Sequence, residues 1–160
     1  MVTLIDATLL DQLCADAAAA PRRRKNFNFH PHADAPAHRL LNALQPDTYI
    51  RPHRHLAADK DETYIVVRGR LGLIVFDAAG GVTTTQTLGA TGTVLGVDIP
   101  YGTWHSAVAL APDTVFFEAK AGPYLSLTAE EIAPWAPAEG TAEAAAYLAR
   151  LTALFGATQT

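Results

Sequence analysis

Two short motifs of the chain carry the residue types that bind transition metals. The first contains His53 and His55 and is followed by Glu62, and the second places His105 three residues after Gly102. Three imidazoles and one carboxylate form a mixed nitrogen and oxygen ligand set. Such a set suits a divalent transition metal such as Fe, Mn, Ni or Zn, whereas Mg and Ca prefer oxygen ligands alone. The ligand types do not choose among these transition metals.

The local sequence around the histidine pair indicates a β-strand. Residues 48–55 are rich in β-branched and aromatic types, and Pro52 excludes a helix interior. Histidines at i and i+2 of a strand project to the same face, so His53 and His55 can bind one ion in this conformation. A proline–glycine turn before His105 would bring that residue to the same ion. Together the motifs predict one metal inside a β-barrel, and an open coordination position would distinguish a catalytic ion from a structural one.

Four further residues are predicted to line the same cavity. Tyr49 and Arg51 alternate with the histidines, so a regular strand would place a phenol and a guanidinium near the metal. Glu118 and Lys120 share one face of a later strand, where an acid and a base can move protons. The alternative for Glu118 and Lys120 is a surface ion pair.

The basic run Arg22–Lys25 is a local exception in an acidic chain. The 160 residues carry a net charge of −4, with a pI near 5.8, so no overall basic field attracts nucleic acid. The run itself is either a solvated arm or a contact for phosphate or another anion. The sequence leaves its role open.

Features of the N-terminal part predict the compartment of the protein. The chain lacks the basic and apolar start of a secretory signal, and it has no run of about 18 apolar residues that could span a membrane. Its one cysteine, Cys14, excludes an internal disulfide and lies in an alanine-rich amphipathic stretch, where it is expected to pack as a small hydrophobe. We therefore expect a cytoplasmic protein with no membrane partner.

The chain divides into helical ends around a strand-rich middle. Apolar spacing predicts a helix over 6–20, and composition predicts a loop over 21–38. Short strands separated by turn residues fill 39–124, which indicates a barrel or sandwich that holds the metal site. A tail over 125–160 contains a second amphipathic helix. The length predicts a single, mainly β domain over 1–160.

The metal motifs resemble those of the cupin superfamily. The resemblance rests on His53 and His55, on Glu62 with Gly69 seven residues later, and on the turn that leads into His105. It implies a single cupin-type, jelly-roll-like β-barrel whose metal is held by three histidines and one glutamate. The six residues between His55 and Glu62 exceed the usual cupin spacing, and a loop would absorb the excess. Because cupins are often dimers, the resemblance is also compatible with a homodimer.

A narrower resemblance covers most of the chain. It is to the WbuC-type cupin-fold metalloproteins, and it implies a metal-binding cupin that is in some cases encoded among genes for surface-polysaccharide synthesis. The resemblance does not imply an established reaction. The phrases that carry it are Pro21-Arg-Arg-Arg24, Arg39-Leu-Leu-Asn-Ala-Leu-Gln-Pro46, Tyr49-Ile-Arg-Pro-His-Arg-His55, Gly102-Thr-Trp-His105, Phe116-Phe-Glu-Ala-Lys120-Ala-Gly-Pro-Tyr124 and Ala133-Pro-Trp-Ala-Pro-Ala-Glu-Gly140.

Three classes of function follow from these patterns. The favoured class is an enzyme in which the metal holds an oxygen of a small carbohydrate-derived or anionic metabolite. Arg51 would bind a negative group and Glu118 or Tyr49 would transfer a proton, as in isomerisation or epimerisation. The second class is an Fe(II) dioxygenase. The third is a non-catalytic, metal-dependent ligand-binding or regulatory module, which a saturated metal without turnover would indicate.

Overall fold

The computed structural model describes residues 2–156, which contain two helices and eight strands. The strands form a five-stranded antiparallel sheet in the order β1-β2-β8-β3-β6 and a three-stranded antiparallel sheet in the order β5-β4-β7. This architecture confirms the predicted mainly β fold of two antiparallel sheets with a helix at each end. The elements are α1 (Ala7–Ala19), β1 (Arg24–Asn28), β2 (Ala37–Leu44), β3 (Glu62–Arg68), β4 (Arg70–Phe76), β5 (Val82–Gly89), β6 (Gly96–Ile99), β7 (Trp104–Ala109), β8 (Thr114–Ala121) and α2 (Ala142–Ala153).

The barrel interior changes from apolar to polar along the strands of the larger sheet. At the apolar end, buried side chains of both sheets form one cluster that includes Leu44, Leu71, Leu73 and Leu88. Complete burial of one such side chain contributes about 1.5–3 kcal/mol, so this cluster holds the two sheets together. The polar end is formed by strands β3 and β8, where inward-facing residues alternate with outward-facing ones. Along this pair the opposed residues change from apolar to charged: Val66 and Phe116, Tyr64 and Glu118, Glu62 and Lys120.

The two helices cover the outer faces of the barrel. In α1, the Asp6 side chain caps the helix by accepting a hydrogen bond from the Leu9 amide at 3.0 Å. The buried face of α1, which includes Cys14, packs against β2 and β8, and burial raises the pKa of the Cys14 thiol. In α2, Leu148 and Leu151 pack against the smaller sheet. Among the described residues, neither helix is long and apolar enough to cross a membrane.

The loop predicted over 21–38 is partly wrong, because it contains strand β1. This strand runs antiparallel to β2 at the edge of the larger sheet, with Arg24 opposite Leu44 and Asn28 opposite Leu40. Its sequence, Arg-Lys-Asn-Phe-Asn, has no run of apolar residues that would indicate a strand. Pairing with β2 holds these residues in an extended conformation. It also fixes the end of the basic run, Arg24 and Lys25, to the edge of the larger sheet.

The strand predicted over 48–55 is also wrong. Within this segment only His53 forms bridge pairs, one with His105 and one with Ile132. Pro52 has no backbone N–H to donate to a neighbouring strand, so the ladder cannot continue through it. The segment is instead an irregular connection between β2 and β3.

Candidate metal centre

Backbone hydrogen bonds join the two histidine motifs. The His53 amide donates to the His105 carbonyl at 3.0 Å, and the His105 amide donates to the His53 carbonyl at 2.9 Å. Gly102 has a φ of +78°, which glycine adopts without strain, and its amide donates to the His55 carbonyl at 2.6 Å. The predicted turn therefore returns the chain to the histidine pair, although that pair does not lie on a regular strand.

Two of the histidines are oriented so that one ring nitrogen remains available. The Nδ1 atom of His53 lies 3.0 Å from the Arg51 carbonyl, and the Nδ1 atom of His105 lies 2.9 Å from the Thr103 carbonyl. Because a carbonyl only accepts, each Nδ1 carries the proton and each Nε2 presents a lone pair. The buried Nε2 of His105 makes no hydrogen bond with any described residue. This is the arrangement that a metal ligand requires.

Glu62 lies at the centre of the cluster and is almost completely buried. Its carboxylate oxygens lie 3.2 Å from the Nε2 of His55 and 3.0 Å from the Nε2 of His105. Burial alone raises the pKa of Glu62, but the hydrogen bond with His55 and the ammonium group of Lys120 outweigh it and hold that pKa well below its usual range. Glu62 is therefore a carboxylate at neutral pH.

The four predicted metal ligands lie together. Ligand atoms of His53, His55 and Glu62 are all within 4.8 Å of one another. The ring of His105 lies 4.6 Å from that of His53, between centroids, and its Nε2 faces Glu62. The unpartnered Nε2 of His105, a neutral His53 and an ionised Glu62 fit a divalent transition metal, since its ligands must be deprotonated.

Glu118 and Lys120 extend the cluster along β8, at the predicted place. The Lys120 Nζ atom lies 2.8 Å from an oxygen of Glu62 and 2.7 Å from an oxygen of Glu118. Burial alone lowers the pKa of Lys120, but the two carboxylates outweigh it and hold that pKa above its usual value. Burial raises the pKa of Glu118. The predicted alternative, a surface ion pair, is wrong, because the Glu118 side chain is only 8% exposed.

Two cavities adjoin the cluster. One, of about 670 Å³, is lined by Arg51, His53, Glu62 and Lys120, and another, of about 440 Å³, by His53, His55 and Lys120. Arg51 lines the larger of these two cavities, and its guanidinium donates to the Ala133 carbonyl at 2.9 Å. Volumes in this range accommodate small metabolites.

Tyr49 does not belong to this site, contrary to the prediction. Its hydroxyl donates to the Pro137 carbonyl at 3.0 Å, and its ring packs against Tyr147 of α2. Its side chain lies in the cluster between the smaller sheet and α2. The prediction relied on strand alternation from Tyr49 to His53, and the segment is not a strand.

Two residues of the site were not predicted. The Tyr64 hydroxyl donates to Glu62 at 3.0 Å, and the Asn42 amide donates to Glu118 at 2.8 Å. Spacing would have identified Tyr64, which is two residues after Glu62 on one strand and therefore shares its face. Asn42 is the one polar residue in the run Leu40–Leu44, and such a polar interruption of a buried strand is itself a signal.

Metal-free protein is expected to lose stability as the pH falls below about 6. Burial lowers the pKa of His53 to about 3, whereas an unfolded chain protonates this histidine near pH 6.5. Between these values the unfolded chain binds the extra proton, so the free energy of unfolding rises with pH, by about 1 kcal/mol per pH unit. In more acidic solution the protonation of Glu62 should lower the free energy of unfolding further, because the pKa of Glu62 is also lower in the folded protein than in the unfolded chain.

Denaturant titrations of chelator-treated protein at several pH values between about 3 and 6.5 measure how the free energy of unfolding depends on pH. A His53→Gln variant removes the titrating group and should show a shallower dependence. An identical slope in the variant would assign the acid sensitivity to other groups. The exposed His32→Gln exchange serves as the control and should retain the full slope.

Comparison with known proteins places the chain among structurally similar proteins of low sequence identity. It resembles a conserved protein of unknown function from Streptococcus pyogenes with a TM-score of 0.52 and 9% identity, over 78% of this chain and 91% of the other. KdgF from Halomonas sp. matches with a TM-score of 0.49 and 19% identity, over 64% and 82% of the two chains. A cupin-2 domain protein from Shewanella frigidimarina matches with a TM-score of 0.46 and 21% identity, over 61% and 80%.

Sequence comparison identifies the family. No curated protein sequence matches the chain. A family model described as a domain of unknown function, DUF6016, matches residues 5–88. The match extends from before α1 into β5, and it includes His53, His55 and Glu62. Because this match spans more than half of the sequence, the chain belongs to the DUF6016 family.

Proposed function

We propose that this protein is a metal-dependent enzyme that acts on a small anionic metabolite. Its metal ligands would be His53, His55, His105 and Glu62, and its ligand would occupy the adjoining cavity. The observation that carries the proposal is the buried Nε2 of His105, which lacks a hydrogen-bond partner among the described residues while it faces the Glu62 carboxylate. Most buried polar side-chain atoms in folded proteins are hydrogen-bonded, so an unpaired ring nitrogen beside a carboxylate supports a role in binding a metal.

The reaction class we propose is isomerisation or epimerisation. A bound divalent metal would act as a Lewis acid toward a carbonyl or hydroxyl oxygen. Lys120 stays protonated between two carboxylates, so it supplies positive charge where negative charge develops on the ligand. Glu118, whose pKa burial raises above its usual value, would take and return a proton. Arg51 would bind an anionic group of the ligand.

The ligand we propose is derived from a carbohydrate. The cavity wall offers the hydrogen-bonding groups of Asn26 and Asn42 beside its charged residues, as recognition of several hydroxyl groups requires. The resemblance to WbuC-type proteins supports a role in surface-polysaccharide synthesis.

Elemental analysis of protein purified without added metal is the first test. We expect about one Fe, Mn, Ni or Zn per chain, and X-ray absorption should show a water-occupied coordination position. Absence of metal, or a metal saturated by protein groups, would contradict an enzymatic role.

Proton exchange tests the reaction class. A panel of sugar phosphates and uronates is incubated with the metal-loaded protein in D₂O, and exchange at carbon is followed by NMR. Glu118→Gln should slow exchange by about 100-fold or more, whereas Glu143→Gln, an exposed change in α2, should not affect it. Oxygen consumption by an Fe(II) form without proton exchange would instead favour a dioxygenase.

A further inference from the structure

A second group of charged residues lies in the cavity that adjoins the candidate metal ligands. Arg22, Arg24, Arg51 and Glu139 line it, and so do His53, Glu62 and Lys120. The basic run, whose role the sequence left open, thus contributes to the wall of the candidate site. This position follows from the pairing of β1 with β2.

Arg22 and Arg24 converge on one carboxylate. Arg22 donates to the two oxygens of Glu139 at 2.8 and 2.7 Å, and Arg24 donates to the same two oxygens at 2.8 and 2.9 Å. Two planar guanidinium groups therefore hold a single anionic group by four hydrogen bonds. This paired, bidentate geometry is the one by which proteins bind phosphate and carboxylate groups.

The cavity has an excess of positive charge even with Glu139 in place. Five basic side chains line it, against three carboxylates; the basic residues are Arg22, Arg24, Lys25, Arg51 and Lys120. A divalent metal would add to this excess. In addition, the buried Nε atom of Arg51 has no hydrogen-bond partner among the described residues. A buried donor without an acceptor is costly, and an anionic ligand in the cavity would supply the acceptor.

We propose that Arg22, Arg24 and Arg51 form a subsite for a phosphoryl group, which Glu139 fills in the absence of ligand. The proposal rests on the proposed function, because it identifies the second anchor of the same ligand. One end of the metabolite would place an oxygen at the metal cluster, and the other would place its phosphoryl group among the arginines. The cavity of about 670 Å³ has room for a sugar phosphate.

Glu139 is placed so that it can leave the subsite. Its side chain is 33% exposed, and the next residue, Gly140, has a φ of +83° with open space around the position of a Cβ atom. A glycine at this point permits rotation of the backbone that carries the carboxylate. Glu139 thus acts as an internal competitor, and ligand affinity should rise when its charge is removed.

Titration of metal-free protein with inorganic phosphate tests the subsite, with the arginine Nε–Hε signals followed by two-dimensional NMR. Glu139→Gln should bind phosphate about tenfold more tightly than the unmodified protein, since no carboxylate competes for the guanidinium groups. The double variant Arg22→Gln/Arg24→Gln should lose at least tenfold in affinity relative to the unmodified protein. In Glu139→Gln the new amide can still accept hydrogen bonds from the arginines. Glu139→Ala removes these hydrogen bonds as well, and it should also bind phosphate more tightly than the unmodified protein.

Matched variants separate this site from a general effect of charge. Glu143→Gln makes the same charge change at an exposed position, and Arg70→Gln/Arg150→Gln removes two exposed arginines elsewhere. Both controls should leave phosphate affinity unchanged. Equal gains in Glu139→Gln and Glu143→Gln, or an unchanged affinity in the Arg22 and Arg24 variant, would overturn the subsite.

The metal-binding proposal can fail independently. A His53→Ala variant that loses metal but retains phosphate binding would support both proposals. Protein that binds no metal but shows the predicted phosphate pattern would contradict the proposed function and leave the subsite intact. Normal metal binding with no dependence on Glu139, Arg22 or Arg24 would overturn the subsite alone.

Discussion

Replacing His105 with alanine is expected to abolish most metal binding, with a loss of affinity of at least about 100-fold. His105 is buried, and its Nε2 faces Glu62 without a hydrogen bond to a described residue. The Thr103 carbonyl orients the ring through Nδ1, so the lone pair is already directed into the cluster. Removal of this ligand leaves Glu62 and two histidines, which cannot hold the ion as tightly. The same result is expected for His53→Ala.

Elemental analysis and competition with a fluorescent chelator would measure this loss. His32→Ala is the matched control, because His32 is an exposed histidine of the 21–38 segment. Circular dichroism and thermal melting would confirm that the variants are folded. Full metal stoichiometry in both His53→Ala and His105→Ala would refute the proposed ligand set.

Replacing Lys120 with methionine is expected to lower the free energy of unfolding of the metal-free protein by about 3 kcal/mol at neutral pH. Lys120 is the ammonium group between the carboxylates of Glu62 and Glu118, and its side chain is 21% exposed. Methionine has a similar shape but carries no charge, so two buried carboxylates would face each other without a cation. The loss arises mainly from the uncompensated carboxylates and not from the packing of the side chain.

Denaturant unfolding in the presence of a chelator measures this change. The double variant Lys120→Met/Glu118→Gln should recover part of the lost stability, because it removes one of the two unpaired charges. Lys25→Met provides the control, since Lys25 is exposed on β1 and should change stability by less than about 0.5 kcal/mol. A Lys120→Met variant as stable as this control would show that the ammonium group does not compensate the carboxylates.

Some residues of the candidate site could be predicted from the sequence, and others could not. The grouping of the four candidate ligands was predictable because its signals are local: histidines two residues apart, a glutamate that begins a strand, and a glycine turn before His105. The places of Glu118 and Lys120 were predictable from alternation on β8, which is a regular strand. The same reasoning misplaced Tyr49, because Pro52 interrupts the strand on which the alternation depended.

The sequence by itself determined the strand-rich barrel, the two amphipathic helices and the types of side chain at the candidate metal centre. These features depend on short-range periodicity and on the chemistry of individual side chains. The tertiary structure alone decided that Lys120 bridges Glu62 and Glu118, and that Arg22 and Arg24 reach the same cavity and meet Glu139. Those contacts join residues far apart in the chain. The register of strand pairing and the path of the C-terminal segment set them, and no local pattern encodes either one.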